Sequence, residues 1–263
     1  MAKFATLYSG SSGNCTAVYE KGKAILIDMG ASCKRTVGAL QILGLSADDV
    51  EAVFVTHEHS DHIAGLAIFL KYHKVPLYTS AATLSYLKLH ALIPKDCECH
   101  AIDGADLVTV GPFSVRAFCT SHDSADCCGY RIALPSGGEI AVATDLGVVS
   151  EDVYDNISGC ELVALESNYD ENMLRFGPYP AYLKARIMSS QGHLSNSDCA
   201  KTAARLAESG TKRLVLMHLS KENNEPQIAL TSCFSMLENY GFSQEDFCVY
   251  IAPRNDVGEI LEL

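Results

Sequence analysis

The segment THEHSDH (residues 56–62) constrains the fold of this chain most, because it places four candidate metal ligands within six positions. They are His57, His59, Asp61 and His62, and they follow the apolar run EAVFV, which is typical of a buried strand. Imidazole nitrogens and carboxylate oxygens are the ligands that zinc and similar divalent metals take in proteins. The side chains of His57 and His59, at i and i+2, point to the same side of the strand end. Asp61 and His62 begin a helix, so their side chains can turn towards a second metal position a short distance away. One metal with an open position would not use all four residues, so the spacing predicts two metals with water between them.

Further candidate ligands lie at or just past the ends of other apolar strands. They are His122 after VRAFCTS, Asp145 after IAVAT, and His218 within RLVLMHL. Asp28, which ends the run AILID, fits the same pattern. Its side chain could instead orient a ligand by hydrogen bonding without binding the metal itself.

Hydrophobic periodicity predicts strands in both halves of the chain, with helices between them. The predicted strands are FATLYS, the hairpin TAVYEKGKAILIDMG, EAVFV, the hairpins 107–120 and 129–144, ELVALES, RLVLMHL, FCVYIA and VGEILEL. The predicted helices are IAGLAIFLKYHK, 182–188, 196–208 and IALTSCFSMLENYG. This order favours a single α/β (α+β) domain over residues 1–263, with two sheets covered by helices.

Composition narrows the class of protein. The formal net charge of −12 argues against a broad basic surface, on which nonspecific nucleic-acid binding usually relies. No run of eighteen apolar residues appears, and the N-terminal residues do not resemble a signal peptide, so we expect a cytoplasmic protein with no membrane partner. The eleven cysteines are odd in number and no export signal precedes them, so most are expected to be reduced and buried.

The HEHSDH motif, followed by a histidine, an aspartate and a histidine at strand ends, resembles the five-motif signature of the metallo-β-lactamase superfamily. The resemblance implies a four-layer αββα sandwich with a binuclear site at its edge. It implies His57, His59 and His122 as ligands of one metal, Asp61, His62 and His218 as ligands of the other, Asp145 as the bridge, and Asp28 as the residue that orients the HEHSDH loop. The metals would lower the pKa of a bridging water and polarise the bond under attack. Counting charges over these ligands leaves a local charge of about +2, which would attract an anionic substrate.

Several features discriminate among the hydrolases of this superfamily. Redox di-iron members carry a carboxylate where His59 stands, exported β-lactamases have signal peptides, and glyoxalase-type enzymes have basic residues near the C-terminus that VGEILEL lacks. The loop SGSSGNC (residues 9–15) resembles the opening loop of the phosphodiesterase and nuclease branches, so Ser11 and Asn14 are candidate substrate contacts. The runs SHDSADCCGY, LESNYD, GPYPAYLKARI and GHLSN are similar to the YycJ/WalJ (VicX-like) group of small exonuclease-like hydrolases. Tyr169 stands where that group generally has a histidine, and we assign it no role.

GHLSN (residues 192–196) contains one histidine that the two metals do not need. His193 precedes a predicted helix that begins with the good capping residues Ser195 and Asn196, and a helix N-terminus is a natural anion site. The histidine is therefore expected to contact a phosphate oxygen or protonate a departing alkoxide. Glu166, at the end of ELVALE, is placed to pair with it, and Asn168 is a weaker candidate for substrate contact.

Together these features predict a hydrolase that cleaves phosphodiester bonds, with Asp61, His193 and Glu166 as catalytic residues. The resemblance further implies a 5′-to-3′ exonuclease, with DNA preferred over RNA as the partner and no obligate protein partner. Zinc or manganese, with iron as a third choice, would occupy the two sites. Two alternatives remain open: a small-molecule hydrolase of a cyclic phosphodiester or thioester, and a regulatory protein that binds metal without turnover.

Overall fold

The computed structural model describes residues 1–104 and 106–263. The strands are β1 (Lys3–Tyr8), β2 (Cys15–Glu20), β3 (Lys23–Ile27), β4 (Val50–Phe54), β5 (Leu77–Thr79), β6 (Cys99–Ala101), β7 (Val108–Val110), β8 (Phe113–Cys119), β9 (Cys128–Ala133), β10 (Glu139–Ala143), β11 (Leu162–Glu166), β12 (Arg213–Met217), β13 (Cys248–Ile251) and β14 (Leu261–Glu262). The helices are α1 (Cys33–Ile42), α2 (Ser60–Ile63), α3 (Leu66–His73), α4 (Ala81–Leu89), α5 (Glu151–Ile157), α6 (Glu171–Phe176), α7 (Ala181–Ile187), α8 (Asn196–Glu208) and α9 (Pro226–Asn239), with a 3₁₀ turn at Ala47–Asp49.

The strands form two seven-stranded sheets with the same pattern of antiparallel and parallel strands. The first has the order β14-β1-β2-β3-β4-β5-β6, and the second has the order β13-β12-β11-β10-β9-β8-β7. In the first sheet β1 to β3 run antiparallel and β3 to β6 run parallel. In the second sheet β7 to β10 run antiparallel and β10 to β13 run parallel. Each sheet therefore contains parallel strands whose carboxyl ends meet at one edge.

Three apolar cores hold the layers together. One lies between the two sheets and includes Phe54 from the first and Tyr130 from the second. The other two pack α1, α3 and α4 against the outer face of the first sheet, and α5, α8 and α9 against the outer face of the second. The four-layer αββα sandwich of the metallo-β-lactamase fold is confirmed.

Strand β3 shows how the sequence produces this layering. Successive side chains of a strand point to opposite faces of the sheet. Ile25 and Ile27 accordingly lie in the core between the sheets, whereas Ala24 and Leu26 lie in the core beneath the helices. An apolar strand without polar alternation is thus buried on both faces, as expected for a sheet with covered faces.

Most predicted elements are present, with shorter ends in places. Helix α8 spans the predicted residues 196–208, whereas the predicted strand VGEILEL is reduced to β14. All eleven cysteines are free thiols, and six of them are buried: Cys15, Cys127, Cys128, Cys160, Cys199 and Cys233. Among the described residues, no helix combines the length and apolar character needed to cross a bilayer.

Candidate metal centre

The candidate ligands meet where strands from both sheets end. Asp28 directly follows β3, and His218 directly follows β12; Asp145 comes two residues after β10. These three residues have φ values of 61°, 54° and 55°, in the left-handed region that costs a side-chain-bearing residue roughly 1–2 kcal/mol. Strain of this kind persists only where surrounding contacts enforce it, and it concentrates at functional sites. Here it turns three acidic or imidazole side chains towards one place.

The loop with the HEHSDH motif is held by close backbone contacts. A Cβ atom added at Gly30 would lie 1.6 Å from the Asp61 carbonyl oxygen, so only glycine permits this approach. The same carbonyl accepts a hydrogen bond of 2.7 Å from the Asn14 backbone N–H, and the Met29 N–H donates to the His62 carbonyl at 2.7 Å. The turn after β3 and the loop after β1 therefore fix the position of the ligands in this motif.

A first donor group consists of His57, His59 and His122, whose ligand atoms lie within 4.8 Å of one another. His57 Nδ1 lies 3.0 Å from the Thr56 hydroxyl, which itself donates to Asp28, so Nδ1 carries the proton. His122 Nδ1 lies 3.0 Å from the Gly192 carbonyl oxygen, which can only accept a hydrogen bond. In both rings the Nε2 lone pair is therefore available as a ligand. His57 Nε2 is buried without a hydrogen-bond partner among the described residues, as a nitrogen intended for a metal would be.

A second donor group consists of Asp61, His62 and His218, again within 4.8 Å. His62 Nδ1 lies 2.7 Å from Asp28 Oδ2, which leaves its Nε2 facing the site. His218 Nδ1 lies 2.8 Å from Glu166 Oε1, and His218 Nε2 is buried with no hydrogen-bond partner among the described atoms. The fit of these residues to a metal is good, because each ring is oriented through Nδ1 by a protein acceptor.

Asp145 lies between the two groups. Its Oδ2 is 3.2 Å from His62 Nε2 in the second group, and its Oδ1 is 3.8 Å from His122 Nε2 in the first. This is the position that a bridging carboxylate would take.

Asp28 acts behind the ligands. Its carboxylate accepts hydrogen bonds from the Thr56 N–H at 2.8 Å and from the Thr56 hydroxyl, and it holds His62 Nδ1. This geometry fits the orienting alternative for Asp28. Sequence reasoning missed Thr56, which links Asp28, His57 and His62; its only signal was its place between the strand and the motif.

The electrostatics follow from burial and from the carboxylates. Burial lowers the pKa of His57 well below its usual value, which keeps that ring neutral. Burial alone would raise the pKa of Asp145, but His218 and His62 hold it well below the usual range. Burial likewise opposes protonation of His218, yet Asp145, Asp61 and Glu166 together raise its pKa to about 10. The carboxylates that raise the pKa of His218 also create the negative potential that attracts a divalent cation.

His193 and Glu166 form a pair at the edge of these groups. His193 Nδ1 lies 2.8 Å from Glu166 Oε1, the same oxygen that contacts His218. Glu166 Oε2 accepts hydrogen bonds from the N–H groups of Leu146 and Leu194, so the carboxylate is fixed in place. The His193 side chain is 22% exposed, whereas that of His218 is 2% exposed. His193 is thus the histidine of this pair that solvent reaches. Its donor atoms also lie within 4.8 Å of those of Asp145, Glu166 and His218, so metal binding by His193 is geometrically open.

The candidate substrate contacts divide into one exposed residue and a buried set. Ser11 is exposed in the loop after β1. The others are buried and bonded within the protein: Asn14, Asn168, Ser195 and Asn196. The Asn14 amide lies 3.0 Å from His62 Nε2, and the Asn168 amide donates to the His218 carbonyl at 2.8 Å. Asn14 thus contacts the nitrogen of His62 that faces the site, whereas Asn168 supports His218 through its backbone carbonyl.

Two N–H groups at the N-terminus of α8 are bonded within the protein. The Ser195 hydroxyl accepts a hydrogen bond from the Asp198 N–H, and the Asn196 N–H donates to the Tyr169 carbonyl. The Asn196 side chain contacts Ser167 and Asn224. These two N–H groups are therefore used inside the fold and not offered to an anion. The Tyr169 ring packs in a small apolar cluster with Leu174 and Ile187.

An αββα sandwich with a group of three histidines and a second group of two histidines and an aspartate, joined by Asp145 at the edge of its sheets, defines a metal-dependent hydrolase of the metallo-β-lactamase fold. The fold and the donor groups imply divalent metal ions as cofactors.

Comparison with known proteins agrees with this class. Residues 23–219 match the family model described as a beta-lactamase superfamily domain. The exodeoxyribonuclease YycJ of Bacillus anthracis is 37% identical over 91% of this chain and 90% of its own length. The exodeoxyribonuclease WalJ of Streptococcus pneumoniae is 33% identical over 99% of this chain and 98% of its own. The crystal structure of the metallo-β-lactamase fold protein YhfI of Bacillus subtilis covers 100% of this chain and 99% of that one, with a TM-score of 0.74 and 18% identity, which shows the shared fold. The chain therefore belongs to the beta-lactamase superfamily and, within it, to the family of the YycJ and WalJ proteins.

Proposed function

We propose that this protein is a nuclease that removes nucleotides from DNA in the 5′-to-3′ direction, with two divalent metals at the donor groups. The observation that carries the proposal is the position of Asp145 between the two donor groups, with the partly exposed His193 beside them. The YycJ and WalJ relatives are named as exodeoxyribonucleases, which supports DNA as the substrate.

Each donor group would bind one of the two metals. His57, His59 and His122 would hold one metal, and Asp61, His62 and His218 the other, with Asp145 shared. When bound, such metals supply a nucleophilic hydroxide near neutral pH and polarise the phosphoryl oxygen. We assign zinc or manganese to these sites, since nitrogen and oxygen donors suit both.

His193 and Glu166 act on the substrate side of this centre. The Glu166 carboxylate holds the proton on His193 Nδ1 and fixes the ring plane, because that carboxylate is itself anchored by two backbone N–H groups. The opposite nitrogen, Nε2, is then placed to donate to a phosphate oxygen or to give its proton to the departing alkoxide. Burial opposes a charged ring, but Glu166 raises the pKa of His193, so the ring keeps a proton to donate.

The test is an assay of protein loaded with zinc or with manganese against DNA and RNA strands labelled at the 5′ end or the 3′ end. We expect mononucleotides to be released from the 5′ end of DNA, with RNA cleaved more slowly. Release from the 3′ end only, or preference for RNA, would overturn the stated direction or substrate.

A small-molecule phosphodiesterase is the second candidate, and the net charge of −12 favours it, since a polymer substrate usually meets a basic surface. The same assay includes bis(p-nitrophenyl) phosphate. Turnover of this ester with neither polymer cleaved would replace the nuclease by this candidate.

A further inference from the structure

An open groove of about 570 Å³ lies beside the candidate metal centre. One side is formed by Glu58, His59 and Ser60, from the same loop that carries the metal ligands. The rest is formed by side chains of α2 to α4 and the turn that follows, including Ile63, Ala64, Ala67, Tyr86 and Leu92. Because His59 lines the groove and also belongs to the first donor group, the groove is continuous with the place where a scissile phosphate would lie.

The groove offers an aromatic and apolar surface. The Tyr86 side chain is 38% exposed, and its ring lies 4.3 Å, centroid to centroid, from that of His90. The small side chains of Ala64 and Ala67 line the same groove. An exposed aromatic ring in an open groove offers a flat aromatic ligand a surface for stacking.

The wall towards the metals is tied to a second loop. Glu58 Oε1 accepts a hydrogen bond of 2.8 Å from the Ala125 N–H, which joins the HEHSDH loop to the loop that carries His122. A ligand seated in the groove would therefore lie beside the first donor group.

We propose that this groove binds a nucleobase of the substrate strand, next to the scissile phosphodiester, by stacking on Tyr86. The proposal rests on the proposed nuclease function and adds how the strand is held. A cavity of this size falls within the range of small-ligand pockets, about 300–1,000 Å³, and so accommodates a nucleotide. Stacking is suited to this chain in particular, because a protein of net charge −12 has little basic surface with which to hold the phosphate backbone. Every base has a flat face, so the contact would tolerate any sequence.

The test combines an altered protein with an altered substrate. DNA strands carry a single abasic residue at each position flanking the scissile bond in turn, and kcat/KM is measured for each strand. With the unaltered protein, one abasic position should lower kcat/KM by about tenfold, mainly through KM. In the Tyr86→Ala variant that penalty should disappear, because the base no longer has a stacking partner.

Two further variants make the result specific. Tyr240→Ala removes a tyrosine that is 52% exposed at the end of α9, far from the groove, and should keep the full abasic penalty. Ala67→Phe fills the groove from α3 and should raise KM for intact DNA. An effect at this second position would show that the groove itself matters, and that the result with Tyr86→Ala is not merely a loss of stability.

The outcomes separate this proposal from the nuclease proposal. If the unaltered protein cleaves DNA but shows no abasic penalty, or if Tyr86→Ala keeps the penalty, the nucleobase groove is wrong while the nuclease function stands. If the unaltered protein cleaves no DNA, the nuclease function is wrong, and binding of the same labelled strands by fluorescence anisotropy tests the groove. Equal affinity for intact and abasic strands there would overturn it.

Discussion

At the scale of single residues, His193 has two possible roles: its ring could bind a metal, or it could act on the substrate. Its Nδ1 is held by Glu166 Oε1, which also holds His218 Nδ1, so one carboxylate oxygen orients both rings. The two histidines differ in access, since the His218 side chain is 2% exposed and that of His193 is 22% exposed. A buried ring with an unpartnered Nε2 suits a metal, whereas an accessible ring suits a substrate that comes and goes.

We expect His193→Ala to keep its metal content and to lose turnover of phosphodiesters by roughly 10²–10⁴-fold, the usual contribution of a general acid. The measurement is metal content by mass spectrometry together with kcat on labelled DNA. His100→Ala, which removes an exposed histidine outside the donor groups and outside the groove beside them, serves as the matched control. Loss of metal from His193→Ala but not from His100→Ala would make His193 a ligand.

The second prediction concerns Asp145, whose carboxylate contacts both donor groups. Asp145→Asn removes the charge but retains a residue type that tolerates the left-handed backbone at φ 55°. We expect this variant to lose metal occupancy as well as activity, since the charge that holds two dications together is gone. The readout is the metal-to-protein ratio after dialysis, with the exposed Asp155→Asn as control. Full occupancy in Asp145→Asn would exclude a bridging role.

The sequence predicted the candidate ligands but not the hydrogen-bonding partners around them. The structure brings His122, Asp145 and His218 together, because a residue at a strand end faces the shared edge of the sheets and strand ends are visible in the hydrophobic pattern. Asn14 and Asn168, which are predicted as substrate contacts, are buried, with the Asn14 amide 3.0 Å from His62 Nε2 and the Asn168 amide bonded to the His218 carbonyl. A short polar side chain in a loop gives no periodic signal of which way it faces, so these contacts could not be predicted from the sequence.

At the scale of secondary-structure elements, helices α8 and α9 were predicted, whereas the capped helices α1, α4, α5 and α6 and the short strands β5 and β6 were not. Helix α8 has a serine cap before it, Gly210 after it and apolar residues at helical spacing, so its bounds could be read directly. Strands β5 and β6 have three residues each and were not predicted. Three residues cannot display an alternation, and these strands exist because β4 offers β5 a parallel partner and β5 in turn pairs with β6.

The start of α8 gives the third prediction. The Ser195 hydroxyl caps this helix by accepting from the Asp198 N–H, so Ser195→Ala should cost about 1 kcal/mol of stability. In a chain of this size that corresponds to a fall in Tm of roughly 2–4 °C, measured by thermal unfolding. We expect KM for DNA to stay unchanged, because the hydroxyl is used within the helix.

Ser150→Ala is the matched control for this prediction. Ser150 caps α5 in the same way, by accepting from the Val153 N–H, and α5 contributes no donor to the metal centre. Both variants should lose similar stability. A rise in KM for Ser195→Ala alone would instead assign Ser195 to substrate binding, as its place in the sequence first suggested.

At the scale of the whole molecule, the charge distribution shapes how a nucleic acid can be held. The chain carries a net charge of −12, and several of its cations are already paired: Lys3 with Glu262, Lys23 with Glu51, Arg205 with Glu151, and Arg186 with Asp123. Arg186 lies on α7 and pairs with the residue next to His122, so even a cation close to the centre is partly neutralised. We therefore expect attraction for a phosphate to come mainly from metals at the centre, and the remaining affinity from contacts with the bases.

This distribution predicts a weak dependence of DNA binding on salt. Each phosphate neutralised by a lysine or arginine contributes about −0.7 to the slope of log K against log salt for a single strand. We expect the strand to meet no more than about two such cations, which gives a slope shallower than about −2, measured by fluorescence anisotropy between low and physiological salt. The Tyr86→Ala variant should lower the affinity at every salt concentration while leaving the slope unchanged, because stacking releases no counterions. A steep slope, or a slope that changes in Tyr86→Ala, would mean that the strand follows a basic path on this protein and is not held through its bases.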